Sequence, residues 1–363
     1  MTTKVNADTS GGLKLTSDTS GTLELQSAGN TKLTVNSSGA TIPTISGTTS
    51  MSAITGLTSI NSGQIGGRRN IIINGAQEVD QRNAGASVAA ASVYVTDRWK
   101  VQGAGNAGDA EQIDSTIAGF KSSLKYTGDA NIAFMQMGQQ IEFKNYAHLV
   151  GEDVTISFYA KANNTNGGST ALTVRTRTVT GEDGSALFAG ANTDTSVTIS
   201  TTAARYTVAR TIPADSKGFS VEFVLGAHVN TDGYEITGIQ VELGTVTEFE
   251  HRSFGEELAL CQRYYQQQFT FSAYASNTTT IQASAPCIIS MRATPTLSAG
   301  GALTVTDGAA NYTQSSLTIT SVFGTSNGIS FNAGNFSGLT QFRPYMSNGA
   351  TSSVGSLAYS AEL

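Results

Sequence analysis

The residues that could carry chemistry are few and lie far apart in the sequence. His148, His228 and His251 fit none of the HxH, HExxH or HxxxH spacings that bring two imidazoles to one metal ion. Cys261 and Cys287 form no CxxC pair and are too few for a disulfide framework in a chain of 363 residues, so we interpret both as buried thiols. The sequence therefore predicts no metal site and no cofactor.

Two adjacent carboxylate pairs, Glu152-Asp153 and Glu182-Asp183, are the remaining candidates for acid–base chemistry. Glycosidases need two carboxyl groups about 5–10 Å apart, whereas adjacent residues of a strand point to opposite faces, and adjacent carboxylates in loops are usually solvated. The sequence also contains no GxSxG elbow, P-loop or dinucleotide fingerprint at a strand-to-helix junction. We therefore predict no catalytic residues and no enzymatic activity.

Composition points to β-structure and disfavours two classes of partner. Charged residues make up 13% of the chain, and the side chains that coat solvated helices are scarce, which favours strands and tight turns. A net charge of −6 provides no positive potential for phosphate backbones, so a nucleic-acid partner is not expected. The first residues lack the apolar core of a signal peptide and no run reaches the length of a membrane span, so we expect no membrane insertion.

An apolar–polar–apolar triplet recurs every ten residues near the start of the chain. Its six apolar positions are Leu13, Leu15, Leu23, Leu25, Leu33 and Val35. Three short strands with two apolar residues each bury too little in one chain to offset the entropy of ordering them. We predict that these six residues form subunit contacts in an oligomeric shaft or attachment segment and neck, 1–67. The alternative is a tail without regular structure in which the period is accidental.

The rest of the chain predicts two β-regions separated by a helix. Alternating runs such as Val154–Ala160, with turn signals between them, favour a jelly-roll β-sandwich over 68–252. Ser253 and Glu256 form a capping box, and Phe254, Leu258, Cys261 and Tyr265 recur at helical spacing, so we predict one short connecting helix, 253–269. The remainder, 270–363, is predicted to form a C-terminal β-domain, which makes the chain all-β.

Four stretches of this sequence carry a resemblance to a known family. RNIIINGAQEVDQRNAG from Arg69 and VYVTDRWK at 93–100 resemble the opening of a domain found in many bacteriophage tail-fibre and virion-fibre proteins. ITGIQVELGTVTEFEHRSFGEELALCQRYYQ at 236–266 is similar to its closing strand and following helix, and MRATPT at 291–296 to the strand after that. The resemblance implies a galactose-binding-like jelly roll in a homotrimer of a virion, assembled in the host cytoplasm, and implies no catalytic residues.

The two most distinctive motif words also have structural interpretations. In Asp97-Arg98-Trp99 we expect the aspartate and arginine to pair at a strand end and the indole to fill the sandwich core. In Asp80-Gln81-Arg82-Asn83 we expect a polar loop held by hydrogen bonds to the backbone. In both interpretations the motif residues stabilise the fold.

The C-terminal segment is the predicted receptor-binding region. From Thr270 onwards the only charged residues are Arg292, Asp307, Arg343 and Glu362, while aromatic, amide and hydroxyl side chains remain frequent. Neutral glycans are bound by such groups, so the predicted receptor contacts are Asn335, Phe336, Phe342 and Tyr345. The alternative is that these residues form the domain core or a subunit contact.

Taken with the resemblance, these features predict a structural fibre that contributes to attachment at a host surface. Its expected partners are copies of itself, other virion proteins through the N-terminal segment, and a glycan or protein of the host surface. A passive capsid or tail decoration is the alternative. A polysaccharide-degrading tailspike is disfavoured, because the chain lacks the long repeat of a parallel β-helix.

Overall fold

A computed structural model describes ten stretches of the chain: 23–27, 30–36, 39–41, 68–104, 108–129, 134–167, 170–225, 232–268, 270–348 and 357–363. The chain divides into two compact units, Met1–Ile60 and Asn61–Leu363, and each is described by itself.

The first unit holds a small antiparallel sheet where the ten-residue repeat predicts strands. Its order is β1 (Leu23–Ser27), β2 (Asn30–Asn36) and β3 (Gly39–Thr41). The register pairs Leu23 with Val35 and Leu25 with Leu33, so apolar positions of consecutive repeats stand opposite each other. The Leu25 side chain is 49% exposed. Leu13 and Leu15 lie outside the described residues, and the predicted subunit contacts stay a prediction.

The sandwich consists of two antiparallel sheets. Its strands are β4 (Val88–Ala89), β5 (Ala91–Thr96), β6 (Trp99–Ala104), β7 (Asp109–Asp114), β8 (Ser122–Thr127), β9 (Phe134–Ile141), β10 (Asp153–Asn163), β11 (Ala171–Val179), β12 (Ala191–Thr198), β13 (Ala204–Thr211), β14 (Gly218–Leu225) and β15 (Gly233–Leu243). One sheet has the order β13-β10-β15-β8-β7-β4 and the other β12-β11-β14-β9-β6-β5. Alternation along each strand sends one set of side chains between the sheets.

Aromatic residues from both sheets fill the sandwich core. Phe158 of β10 contacts Phe223 of β14 edge-on, with 4.9 Å between ring centroids, and Trp99 lies 6.2 Å from Phe223. The indole of Trp99 is fully buried and donates to the Asn74 carbonyl at 2.9 Å. The predicted all-β class, the jelly-roll sandwich and the core position of Trp99 are confirmed.

The connecting helix is shorter than predicted. Helix α2 spans Phe254–Gln262 and begins with the predicted cap, in which the Ser253 hydroxyl accepts from the Glu256 amide at 3.4 Å. The chain then forms strand β16 (Tyr265–Gln268), because that segment pairs with a strand at the chain's end, Leu357–Ser360. The prediction of helix to 269 was wrong for this reason.

A second short helix, α1 (Phe143–Tyr146), and a 3₁₀ turn at Ala147–Leu149 lie between β9 and β10, where the sequence predicted no helix. Within the described stretches no helix is long and apolar enough to cross a bilayer.

The C-terminal strands form two further antiparallel sheets. They are β17 (Ser272–Ala275), β18 (Ile281–Pro286), β19 (Thr296–Ala299), β20 (Leu303–Thr306), β21 (Asn311–Gln314), β22 (Ile319–Thr325), β23 (Gly328–Ala333), β24 (Pro344–Ser347) and β25 (Leu357–Ser360). The smaller sheet has the order β16-β25-β19, and the larger one β21-β20-β24-β17-β18-β23-β22. Buried residues such as Phe271, Phe331 and Tyr359 form a second core.

Candidate functional site

Residues of the sequence motifs come together in one buried ionic cluster. We name this cluster, which consists of Arg82, Arg98, Tyr264, Tyr265 and Glu362, the motif junction. At its centre lies the carboxylate of Glu362, the penultimate residue. Arg82 donates to one of its oxygens at 2.5 Å and Arg98 donates to the other. The Arg98 guanidinium lies 3.7 Å from the Tyr264 ring centroid, and that of Arg82 lies 3.6 Å from the Tyr265 ring. Three separate motif segments and Glu362 thus form a single structural element.

The predicted pairing of Asp97 with Arg98 was wrong. These residues occupy the tight turn between β5 and β6 and take different partners: Arg98 binds Glu362, whereas Asp97 accepts from the Gln81 amide groups and lies 3.7 Å from Arg82. Burial is the main cause that raises the pKa of Asp97, to about 7, against the opposing hydrogen bonds from Gln81. The turn thus supplies two buried ionisable groups, and the partners of both lie elsewhere in the sequence.

Arg98 also adopts an unfavourable backbone conformation. Its φ of 71° lies in the left-handed region, which is uncommon for a non-glycine residue. A glycine would fit this turn position without strain but would supply no guanidinium. The buried contacts with Glu362 and the Gln140 carbonyl, 2.5 Å away, account for an arginine here.

The Asp80–Asn83 word forms the predicted polar loop. The Asp80 carboxylate accepts from the backbone amides of Asn83 at 2.9 Å and Gly85 at 2.7 Å. The Asn83 side chain donates to the carbonyls of Tyr94 and Val95 at 2.9 and 2.8 Å. The residues of this loop therefore help to organise the fold.

Two of the four predicted receptor contacts belong to the C-terminal core. Phe336 and Tyr345 are 2% and 1% exposed, so their prediction as receptor contacts was wrong. The reason is strand alternation, since Tyr345 of β24 points inward between the outward residues Pro344 and Met346. The Tyr345 hydroxyl accepts from the Thr340 amide at 3.0 Å and so holds the loop before β24.

The other two predicted contacts, Asn335 and Phe342, lie at the surface. The Asn335 side chain is engaged within the protein, donating to the Ser316 carbonyl at 2.6 Å and the Thr318 hydroxyl at 3.2 Å. Phe342 is 75% exposed and has a left-handed backbone, with φ of 63°. Phe342 is thus the predicted residue that best fits an external contact.

The outward surface of the larger C-terminal sheet forms two rows of uncharged side chains, which we name the neutral face. Strand register places them side by side across the sheet. The first row is Thr306, Met346, Ser272, Ser284, Ser330 and Phe323, and the second is Pro344, Tyr274, Gln282, Asn332 and Thr320. Because β-strand spacing is about 4.8 Å, each row offers hydroxyl, amide and apolar groups at regular intervals.

Apolar side chains stand out from this face. Tyr274 is 43%, Met346 61% and Phe323 69% exposed. A depression of 350 Å³ borders Tyr274, and a second of 290 Å³ borders Phe323; both include Ser284 and Ser330 in their lining. The two depressions therefore run side by side between an exposed tyrosine and an exposed phenylalanine.

The charged residues of the C-terminal segment are all engaged away from this face. Arg343 pairs with Asp307 at 3.2 Å, and Arg292 lies 3.7 Å from Asp183 of the sandwich. Glu362 belongs to the motif junction. The neutral face is thus suited to an uncharged, polyhydroxylated ligand or to an uncharged protein surface.

A separate cavity of 460 Å³ lies on the sandwich. Its floor is a row of three charged residues from neighbouring strands, with Glu235 of β15 paired in register with Lys161 of β10 on one side and Lys125 of β8 on the other. This site could not be predicted from the sequence, because three strands that are distant in sequence bring the row together. The alternation of side chains along each strand can be recognised in the sequence. It does not reveal the order of the strands in the sheet.

The adjacent carboxylate pairs show no catalytic arrangement. Asp183 accepts from the Phe143 amide at 2.7 Å, and Asp153 accepts from the Thr211 hydroxyl at 2.5 Å. Among the described residues no group of three or more His, Cys, Asp or Glu side chains could hold a metal ion. Cys261 is fully buried, which raises the pKa of its thiol, and Cys287 is half-buried.

Comparison with known proteins gives fold-level similarity only. No protein-family model and no curated protein matches the chain. A tailspike protein 4 domain of bacteriophage CBA120 is 14% identical with a TM-score of 0.34, over 48% of this chain and 21% of that one. TmCBM61, solved with β-1,4-galactotriose, is 10% identical with a TM-score of 0.32, over 49% of this chain and 100% of that one.

A third solved structure, the CBM22-1 xylan-binding domain of Paenibacillus barcinonensis Xyn10C, is 15% identical with a TM-score of 0.30. It is matched over 46% of this chain and 99% of its own length. This chain covers about a fifth of the tailspike domain, 21%. The β-sandwich assignment itself rests on the strands and sheets described above.

Proposed function

We propose that this chain is a non-catalytic fibre protein of a bacteriophage virion and that its neutral face binds an uncharged glycan of the host surface. The observation that carries the proposal is the neutral face itself, with Tyr274 and Phe323 exposed beside two depressions. Soluble proteins normally scatter Lys and Glu over exposed surfaces, so an extended uncharged sheet face calls for a ligand or a partner.

The chemistry of the face favours a glycan. A pyranose ring presents apolar C–H groups on one side and hydroxyl groups at its edge. Tyr274 and Phe323 supply apolar ring surface, while Ser272, Ser284 and Gln282 supply donors and acceptors at strand spacing. A neutral ligand leaves no charge unpaired when it binds, which matches the absence of charged residues from the two rows.

The fibre part of the proposal rests on the family resemblance and on the first unit. Paired apolar positions in β1 and β2, with Leu25 49% exposed, fit a shaft in which several chains bury them together. We propose a homotrimer that docks onto other virion proteins through this segment and assembles in the host cytoplasm.

The proposal of a non-catalytic protein is supported by the state of the carboxylates. Asp153 and Asp183 accept hydrogen bonds from within the protein, and Glu235 is the one carboxylate among the described residues that line the sandwich cavity. Glycosidases need two carboxyl groups that face one substrate. Incubation with bacterial capsule or lipopolysaccharide should therefore release no new reducing ends, and measurable release would contradict this part.

Labelled bacterial cells test the adhesive part directly. Fluorescent full-length protein should stain cells of a susceptible strain; periodate oxidation of the cells should abolish staining, and protease treatment should leave it unchanged. Unstained cells would favour a passive decoration. Loss of staining after protease but not after periodate would point to a protein receptor.

The competing interpretation is that the neutral face is a subunit contact. Light scattering on the Tyr274→Ala and Phe323→Ser variants distinguishes the two. A ligand-binding face predicts unchanged mass for both variants, whereas a subunit contact predicts dissociation.

A further inference from the structure

The sandwich cavity has a lining unlike that of the neutral face. Its 460 Å³ lie within the range of about 300–1,000 Å³ that is usual for small-molecule sites. Among the described residues of its lining, the charged ones are Lys125, Lys161 and Glu235, and the lining also includes Asn163, Thr165 and Ile113. It therefore combines cationic, polar and apolar groups around one space.

The carboxylate at the cavity floor is already engaged. Glu235 is 5% exposed and accepts from the Thr116 amide at 2.7 Å and the Thr116 hydroxyl at 2.5 Å, and Lys161 lies 3.3 Å away. Burial acts to raise the pKa of Glu235, but the hydrogen bonds from Thr116 and the charge of Lys161 outweigh it and hold the pKa below its usual value. Glu235 is thus an ionised fixed anion that anchors Lys161.

The two lysines retain capacity for a ligand. Lys161 has Glu235 as its carboxylate partner, and Lys125 binds Glu111, outside the lining, at 2.8 Å. An ammonium group has three N–H donors, so a single acceptor leaves donors available on each. Their side chains are 32% and 44% exposed, which lets both ammonium groups reach the cavity.

We propose that this cavity binds a saccharide that carries a carboxylate, such as a uronic acid residue. The carboxylate accepts from Lys125 and Lys161, the sugar hydroxyls meet Asn163 and Thr165, and the ring contacts Ile113. A carboxylate is favoured over a neutral sugar because charge-assisted hydrogen bonds are roughly twice as strong as neutral ones. This site lies beyond the neutral face of the proposed function and does not depend on it.

Calorimetric titration of the full-length protein with trigalacturonate, triglucuronate and sialyllactose tests the proposal. The methyl ester of each sugar keeps the shape and removes the charge, so at least one acid should bind and its ester should bind about tenfold more weakly or not at all. Raising the salt concentration should weaken the acid and not the ester.

The Lys125→Gln variant should weaken binding of the acid by about tenfold or more, since one charge-assisted hydrogen bond is lost. Lys217→Gln, an equal change of charge at an exposed lysine outside the cavity lining, should bind as wild type. The proposal is overturned if none of the three acids binds, if esters bind as well as acids, or if the two variants behave alike. Each of these results leaves cell staining through the neutral face intact.

Discussion

Glu362 should control the stability of the sandwich, and Glu362→Gln is the variant that tests this prediction. Glu362 is 8% exposed and serves two arginines, of which Arg98 is 2% and Arg82 15% exposed. Glutamine keeps the shape but offers one acceptor oxygen in place of two and turns an N–H group toward the second arginine. Because the glutamine amide carries no charge, both arginines lose this anion, and Arg98 loses its ion-pair partner.

Removal of one partner of a buried ion pair costs about 3–5 kcal/mol, and we expect a loss of this size because Arg98 has little access to water. At about 2–4 °C per kcal/mol for a unit of this size, the melting temperature should fall by roughly 6–20 °C. Thermal melts followed by circular dichroism, with urea unfolding as a second probe, measure the loss.

Asp114→Asn is the matched control, because it removes one partner of the exposed Lys121 pair, in which the two side chains are 75% and 88% exposed. Its melting temperature should equal that of wild type. If Glu362→Gln has the same melting temperature as Asp114→Asn, the motif junction contributes little to stability. The structural interpretation of the sequence motifs would then be wrong.

Three further predictions concern other parts of the molecule. Burial raises the pKa of Asp97 from its ordinary value of 3.8 to about 7 in the folded protein. Its contribution to stability is therefore complete below about pH 4 and is lost as the pH rises through 7. The melting temperature of Asp97→Asn should rise relative to that of wild type between about pH 4 and 7, and a pH-independent difference would refute the raised pKa. Tyr345→Ala should lower the free energy of unfolding by about 3–5 kcal/mol, measured by urea titration, because a fully buried ring is lost, and a neutral effect would return Tyr345 to the list of surface contacts. Deletion of 1–67 should convert the proposed trimer to a monomer in light scattering, and an unchanged mass would move the assembly determinant to the β-domains.

Local patterns predicted much of the fold. Alternation over Val154–Ala160 correctly predicted a sandwich strand, and the Ser253–Glu256 spacing correctly predicted the start of α2. The end of α2 could not be predicted in this way. Tyr265–Gln268 becomes a strand because Leu357–Ser360, about ninety residues later, lies beside it, and helical spacing of Tyr265 carries no information about that partner.

For the candidate sites too, local residue patterns were informative, whereas contacts that depend on strand order could not be predicted. The scarcity of charged residues from 270 onwards suggested the C-terminal segment as the receptor-binding region, which stays a prediction, and Phe342 is exposed there. Tyr345 was misassigned, because a single aromatic residue has the same type whether its strand turns it inward or outward. Tyr274 and Phe323 were missed as a pair, since only the strand order β17-β18-β23-β22 brings them to one face.

Distant pairing also explains the motif junction. The DRW word suggested a local pair between Asp97 and Arg98, yet Arg98 binds a carboxylate 264 positions away. Two adjacent charged residues in a tight turn do not indicate this distant pairing. The partner, Glu362, is an isolated charged residue in a segment with few charges. An isolated charge in such a segment is itself a signal, since a lone buried carboxylate requires a cationic partner.

Equilibrium binding of a neutral bacterial surface polysaccharide to the double variant Tyr274→Ala/Phe323→Ser tests the central claim most directly. The control is Phe254→Ala, which removes a ring that is 57% exposed on α2, away from the neutral face. We predict that the double variant keeps the mass and melting temperature of wild type and binds the polysaccharide at least about tenfold more weakly, while the control binds normally. Wild-type affinity in the double variant would contradict the account.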